Sequence, residues 1–202
     1  MTVTELALLK LSSADGSLSE HVRAQLLKAK QAMESFSGHR FYYLQQIEEP
    51  SLIYVLGEWA SLHQHYAEFI PSAPNQAVLE ALRNDVTVVW LSHLDVPVSD
   101  IELAAPVMSL GRHFVAAKKR KDFEACFAAQ KKFLQEFVTE GDVAGGWKLE
   151  EDRENDEFVL FAPWRAIEQH AAFASTDGFK HYVRIKDYIV DADIKHVKLL
   201  EL

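Results

Sequence analysis

Apolar positions fall along the chain in two rhythms, and their order predicts the elements. Glu5 to Leu11 is a short, mainly apolar run that ends in the turn formers Ser12-Ser13-Ala14-Asp15-Gly16, as a first strand should. Beyond it Val22, Leu26, Ala29, Met33 and Phe36 recur at steps of 4, 3, 4 and 3, the spacing of one helix face. Ser17 and Glu20 are spaced as a capping box at the start of that helix, and Gly38 stops it. Arg40 to Ile47 and Leu52 to Leu56, separated by Glu48-Glu49-Pro50-Ser51, predict a hairpin. A second helical stretch from near Trp59 runs unevenly through Pro71 and Pro74 to about Arg83. The β-branched run Val86 to Leu94 closes the series.

The same order then returns. A strand at Arg112 to Lys118 leads to a helix at Asp122 to Val138, a hairpin at Trp147 to Ala162, helices from Trp164 to Ile189 and a strand at Ile194 to Leu202. Individual residues return too. Phe123, Phe127, Gln130, Leu134 and Phe137 follow the first helix stripe at an offset of 101, and only Gln130 breaks its apolar character. Trp59, Gln64 and His65 reappear as Trp164, Gln169 and His170 at an offset of 105, which places a four-residue insertion near Gly141-Asp142-Val143-Ala144-Gly145-Gly146. The expectation is an α+β chain of two ferredoxin-like repeats, residues 1–95 and 110–202, joined by a linker at 96–109.

Composition narrows the class of partner. An apolar fraction of 49% is ample for a packed core. With 21 Lys and Arg against 30 Asp and Glu, the net charge of −9 repels phosphate backbones and anionic lipid heads, so neither nucleic acid nor a membrane is an expected partner. Cys126 stands alone, without a second thiol for a disulfide or a zinc site, and a reducing cytoplasm is the expected compartment. The start Met1 to Lys10 lacks the pattern of a signal peptide, and no later run has the length of a membrane span.

The strand end Val55-Leu56-Gly57-Glu58-Trp59, running into a helix, resembles the antibiotic biosynthesis monooxygenase family and its wider dimeric α+β barrel relatives. The resemblance implies a fold in which two such units pair their antiparallel sheets face to face, with helices outside. Family units are about half this length and form homodimers. The present chain looks like a fused pair, sufficient as a monomer (a pseudo-dimer) or able to form a homodimer. The family's implied activity is that of a cofactor-independent monooxygenase: a phenolic or enolic substrate loses a proton and passes an electron to oxygen. Some relatives open haem with an Asn on the first strand and a His on the second helical segment. Neither Glu5–Leu11 nor Arg112–Lys118 holds an Asn, and the spacing of His181 from Phe179 departs from that pattern, so no cofactor is expected. Pro163 stands where Glu58 does in the first half, and the positions of the family's later His carry Glu68 and Phe173.

His65 and His170 follow Leu62 and Ile167 by three residues, so each shares a helix face with an apolar neighbour and should point toward the sheet, where an imidazole serves as a base near neutral pH. They are the candidate catalytic residues. Trp59 and Trp164 are the candidate walls of the substrate slot, with Tyr43 and His63 as further substrate-binding candidates. His63 and His65 lie two apart, about 200° around a helix, and cannot share a metal on a regular turn, so no metal site is expected. The basic run Lys118-Lys119-Arg120-Lys121 and the acidic stretch 150–157 read as solvated corners, and no phosphate-cradling loop or Gly-x-Ser-x-Gly elbow is present. The leading expectation is an enzyme of secondary metabolism, a cofactor-independent oxygenase acting on a small aromatic or polyketide-type substrate. A polyketide cyclase or isomerase using the same His as base is its nearest rival. The alternative of another class is a non-catalytic small-molecule-binding or structural barrel protein, its second half plugged by Phe123, Phe127, Phe158, Phe161, Phe173 and Phe179. The half that keeps Tyr43, Glu58, His63 and His65 offers more polar groups against an apolar wall and is the first place to look for chemistry.

Overall fold

A computed structural model describes residues 2–150 and 155–202. Of the acidic stretch read from the sequence, residues 151–154 lie outside the described residues. The chain divides into two units, one running to Val98 and taking in Leu199–Leu202, the other spanning Ser99–Lys198. The last residues belong to the first unit because Leu200 N–H donates to the Tyr43 carbonyl at 2.8 Å, and Leu200 and Leu202 pack on its core.

In the first unit β1 (Val3–Leu11), α1 (Glu20–Ser37), β2 (Phe41–Gln46) and β3 (Leu52–Trp59) precede a π-helical turn (Gln64–Phe69), α2 (Ala73–Leu82) and β4 (Val86–Leu94). The strands lie in the order β4-β1-β3-β2, all antiparallel. Helix α1 starts two residues later than the Ser17 capping box implies. Ser19 is its cap and accepts from Val22 N–H, because the Ser17 amide is already held by Asp15 in the preceding turn. Gly38 ends α1 at φ 78°, the left-handed conformation in which glycine carries no steric penalty. Strand β3 continues to Trp59 instead of stopping at Leu56, since its ladder with β1 runs on to the Val3–Trp59 pair. Gly57 permits this: a Cβ there would fall 2.2 Å from the ring of Phe41, which lies over it. Replacing Gly57 with alanine should therefore cost about 1–3 kcal/mol of stability through overpacking, read as a lower urea midpoint at unchanged slope.

The second unit repeats the order with β5 (Val107–Ala116), α3 (Arg120–Gln135), β6 (Ala144–Trp147), β7 (Asn155–Trp164), α4 (Ile167–Phe173), α5 (Asp177–Tyr182), a 3₁₀ segment (Val183–Tyr188) and β8 (Ile189–Leu199). Its strands lie antiparallel in the order β8-β5-β7-β6. Strand β5 begins five residues before Arg112, so the end of the expected 96–109 linker, from Val107, belongs to the strand. Each sheet packs one face against its helices. Val22, Leu26 and Met33 of α1 meet Ala7, Val55 and Trp59 in the first unit. Phe123 and Leu134 of α3 meet Val115, Leu160 and Trp164 in the second. The fold class is thus α+β, two ferredoxin-like antiparallel units in sequence. No helix among the described residues is long and apolar enough to cross a membrane.

Candidate functional site

Both units place a tryptophan, two histidines and one further polar residue at matching positions on the helix-facing side of the sheet. Strand pairing fixes the match. Val3 of β1 pairs with Trp59, and two residues on, Glu5 lies opposite His93 of β4. In the second unit Val107 pairs with Trp164, and two residues on, Ser109 lies opposite His196 of β8. The helical residue His65 or His170 then stacks on its tryptophan, at 4.3 Å and 8° in the first unit and 4.5 Å and 12° in the second. Its Nδ1 is 2.8 Å from Nε2 of the strand histidine, His93 or His196.

In the first unit the cluster is closed. Trp59 Nε1–H donates to Glu5 Oε2 at 2.7 Å, and the same oxygen lies 3.6 Å from His65 Nε2. Both nitrogens of His65 therefore face polar neighbours, and the side chain is 3% exposed. The wide π-helical turn, closed by Ile70 N–H on the His65 carbonyl, sets this orientation. Burial pushes the Glu5 carboxyl up to about 7, against a smaller opposing effect of the Trp59 hydrogen bond. Tyr43 is buried, its hydroxyl donates to the Leu26 carbonyl, and burial raises its pKa above the usual phenol value. The structure does not bring His63 to this cluster. Its side chain is 75% exposed and paired with Glu68, as expected for a residue about 200° around the helix from His65. Glu58 likewise points elsewhere, accepting from Val98 N–H at 3.1 Å and lying 3.5 Å from His39.

In the second unit the cluster opens into a cavity of about 440 Å³. Ser109 replaces the carboxyl and accepts from Trp164 Nε1–H at 2.8 Å. His170 Nε2 has no hydrogen-bond partner among the described residues, and the ring lines the cavity. Burial, and then the neighbouring His196, hold its pKa down at about 4, so the imidazole is neutral at pH 7. Leu160, Ala162, Phe173, Phe179 and Ile185 supply apolar wall. Tyr182 adds a phenol whose pKa burial raises, and His113 adds a buried imidazole whose Nδ1 has no hydrogen-bond partner among the described residues. The His113 ring lies across Gly111, where a Cβ would come 2.9 Å from Cε1, which explains a glycine inside β5.

The phenylalanines expected to plug this half do not. Phe123, Phe127 and Phe158 cluster with one another near Trp147, Phe161 turns its side chain to the opposite face of β7, and only Phe173 and Phe179 reach the cavity. His181 stacks on Phe133 at 4.4 Å, outside the cavity lining. Among the described residues no group of three His, Cys, Asp or Glu could hold a metal ion. Glu5, His93, Ser109 and His196 escaped the sequence reading, although His93 and His196 sit at corresponding places in the closing strand of each half.

No family model and no curated protein matches the chain. Solved structures do. An anthrone oxidase-like protein aligns over 99% of this chain and 92% of its own, at 11% identity and a TM-score of 0.68. A provisionally named monooxygenase from Fusobacterium nucleatum subsp. nucleatum aligns over 99% and 93%, at 10% identity and 0.66. The chain has the fold of the dimeric α+β barrel proteins. A haem-binding protein from Thermus thermophilus shares this barrel fold over 99% of the present chain and 91% of its own, at 8% identity and a TM-score of 0.61. Identities this low carry the fold and no more. In the second cavity the neutral His170 imidazole thus keeps Nε2 free and has Nδ1 held by His196.

Proposed function

We propose that the second unit binds a small, planar, mainly apolar aromatic or polyketide-type compound and promotes its oxidation by molecular oxygen, with His170 as the base. One observation carries this reading: the neutral His170, stacked on Trp164 and tied to His196, borders a 440 Å³ apolar cavity with its Nε2 unengaged. That volume lies within the range of roughly 300–1,000 Å³ typical of pockets that enclose drug-sized ligands. When Nδ1–H donates to His196, His170 presents a bare Nε2 lone pair to a phenolic or enolic proton. As Nε2 takes up the proton, Nδ1–H can pass to His196, leaving the positive charge on the strand histidine instead of the buried ring. The aromatic wall excludes water from the substrate anion, which is then the electron donor to oxygen. His65 is a poorer base, since both of its nitrogens face neighbours in a closed cluster.

The test is conversion of an anthrone-type phenol followed with an oxygen electrode and by product analysis in air and under nitrogen. Oxygen uptake matched to product in air, and none under nitrogen, is expected. Product formed equally under nitrogen would replace the reading with a cyclase or isomerase using the same base.

The free Nε2 also favours a second reading in which His170 holds a haem iron. When bound, the haem would supply the redox chemistry of oxygen activation. Trp164 and His196 would fix the ligand ring, and Phe173, Phe179 and Leu160 would keep water out. Titrating haem into the protein separates the two: a saturable shift of the haem absorption band, lost in His170→Ala, supports this reading, and an unchanged band in the active protein removes it.

A further inference from the structure

The first unit holds a cavity of its own, about 280 Å³, on the helix side of its sheet. Ala7, Leu26, Met33 and Val55 make its body apolar, and four polar residues line it, Glu5, Tyr43, His65 and Asn75. Three of the four are engaged. The Tyr43 hydroxyl donates to Leu26, the His65 nitrogens face His93 and Glu5, and the Asn75 amide donates to the Ile70 carbonyl. The Glu5 carboxyl spends Oε2 on Trp59 and His65, while Oε1 makes no hydrogen bond among the described residues. A carboxyl only 4% exposed, bordering an apolar cavity with one oxygen unspent, is a costly arrangement that a ligand donor would relieve. An entry route for an apolar molecule is present as well: Val88 and Leu79 line the cavity yet are 49% and 43% exposed at the surface. The corresponding position in the second unit is Ser109, so the two cavities differ in the acceptor they offer.

We propose that the first unit's cavity is a second ligand site, distinct from the His170 cavity, that takes a small apolar molecule with one hydrogen-bond donor and holds that donor on Glu5 Oε1. Its size limits the ligand to a single substituted ring or a short branched chain. Donor recognition by a buried carboxyl oxygen sets the selectivity. A ligand of the same shape without the donor leaves the carboxyl unsatisfied and binds at least about tenfold more weakly.

The probe pair is 4-ethylphenol and its methyl ether 4-ethylanisole, titrated into the full-length chain. The readout is the indole N–H resonance of Trp59, assigned by its loss in Trp59→Phe; because this proton sits on Glu5, it reports the first unit independently of any oxygenase activity. The expected result is a saturable shift with 4-ethylphenol and an affinity at least tenfold lower for the ether. In Glu5→Gln the amide oxygen keeps the Trp59 hydrogen bond and turns NH₂ into the cavity, so the preference for the phenol should vanish or invert. No shift of the Trp59 resonance with millimolar 4-ethylphenol, or equal affinity for the two probes in the wild type, would overturn the proposal. So would a phenol preference that survives in a folded Glu5→Gln protein. None of these outcomes touches the reading of the second unit, whose reporter is the Trp164 indole.

Discussion

Replacing His170 with alanine is expected to lower kcat/KM for aerobic oxidation of an anthrone-type substrate by roughly 10²- to 10⁴-fold, the usual worth of a positioned general base. The cavity would survive, because His170 stacks on Trp164 from one side and the remaining wall comes from α4, α5 and the sheet. His196→Ala should cost less, about tenfold, since it removes the group that orients His170 and receives charge while leaving Nε2 in place. His65→Ala should leave the rate within about twofold of wild type, because His65 belongs to the closed cluster of the first unit. The pH profile adds a readout that a merely structural role would not move. A base with its pKa held at about 4 stays neutral as pH falls through 6.5, so the acid limb of kcat/KM should lie near 4 to 5. An acid limb near 6.5, or an unchanged rate in His170→Ala, would remove His170 from the reaction.

The architecture was legible because it rests on repetition. The helix stripe from Val22 to Phe36 returned at a constant offset, and Trp59 and His65 returned as Trp164 and His170, so the order of elements followed from apolar spacing alone. Boundaries failed where a local signal was outweighed by pairing. The expected strands ended at Leu56 and began at Arg112, yet Gly57 and Gly111 both lie inside strands, each beneath an aromatic ring that leaves no room for a Cβ. The helical histidines were readable because a three-residue step from Leu62 or Ile167 aims them at the sheet, and the same geometry explains why His63, expected to bind substrate, lies at the surface instead. Their partners were not. Glu5 lies 60 residues before His65, and His93 and His196 lie 28 and 26 residues after their helical partners, separations that only the strand register closes. The choice of half turned on the same register. Counting polar residues favoured the first half, but two of those counted, Glu58 and His63, lie outside the cavity beside Trp59, and of the two matching cavities the one beside Trp164, where Ser109 stands in place of Glu5, is the larger.

That replacement has an energetic signature, and Glu5→Gln should make it visible as a change in the pH dependence of stability. Burial raises the folded-state pKa of Glu5 to about 7 from its ordinary value of 4.5. The folded protein therefore holds a proton that the unfolded chain releases earlier. A raised carboxyl pKa contributes stability that is fully present below about 4.5 and is lost progressively as pH rises through about 7. The shift corresponds to about 3 kcal/mol, so between pH 4.5 and pH 8 the wild type should lose about that much stability relative to Glu5→Gln, which cannot titrate there. The groups facing the carboxyl are the Trp59 indole and His65, with His93 behind His65 and Tyr43 across the cavity. Of these, Trp59 donates to the carboxyl in either protonation state, so its bond persists while the charge appears. Urea unfolding of both proteins at half-unit steps across this range, with all other titrating groups common to the pair, isolates the Glu5 contribution. Parallel stability curves would mean that Glu5 ionises at an ordinary carboxyl pKa despite its burial. A widening gap as pH rises would mean that the first unit carries a buried neutral acid at mildly acidic pH, a group that Ser109 has removed from the cavity where His170 stands.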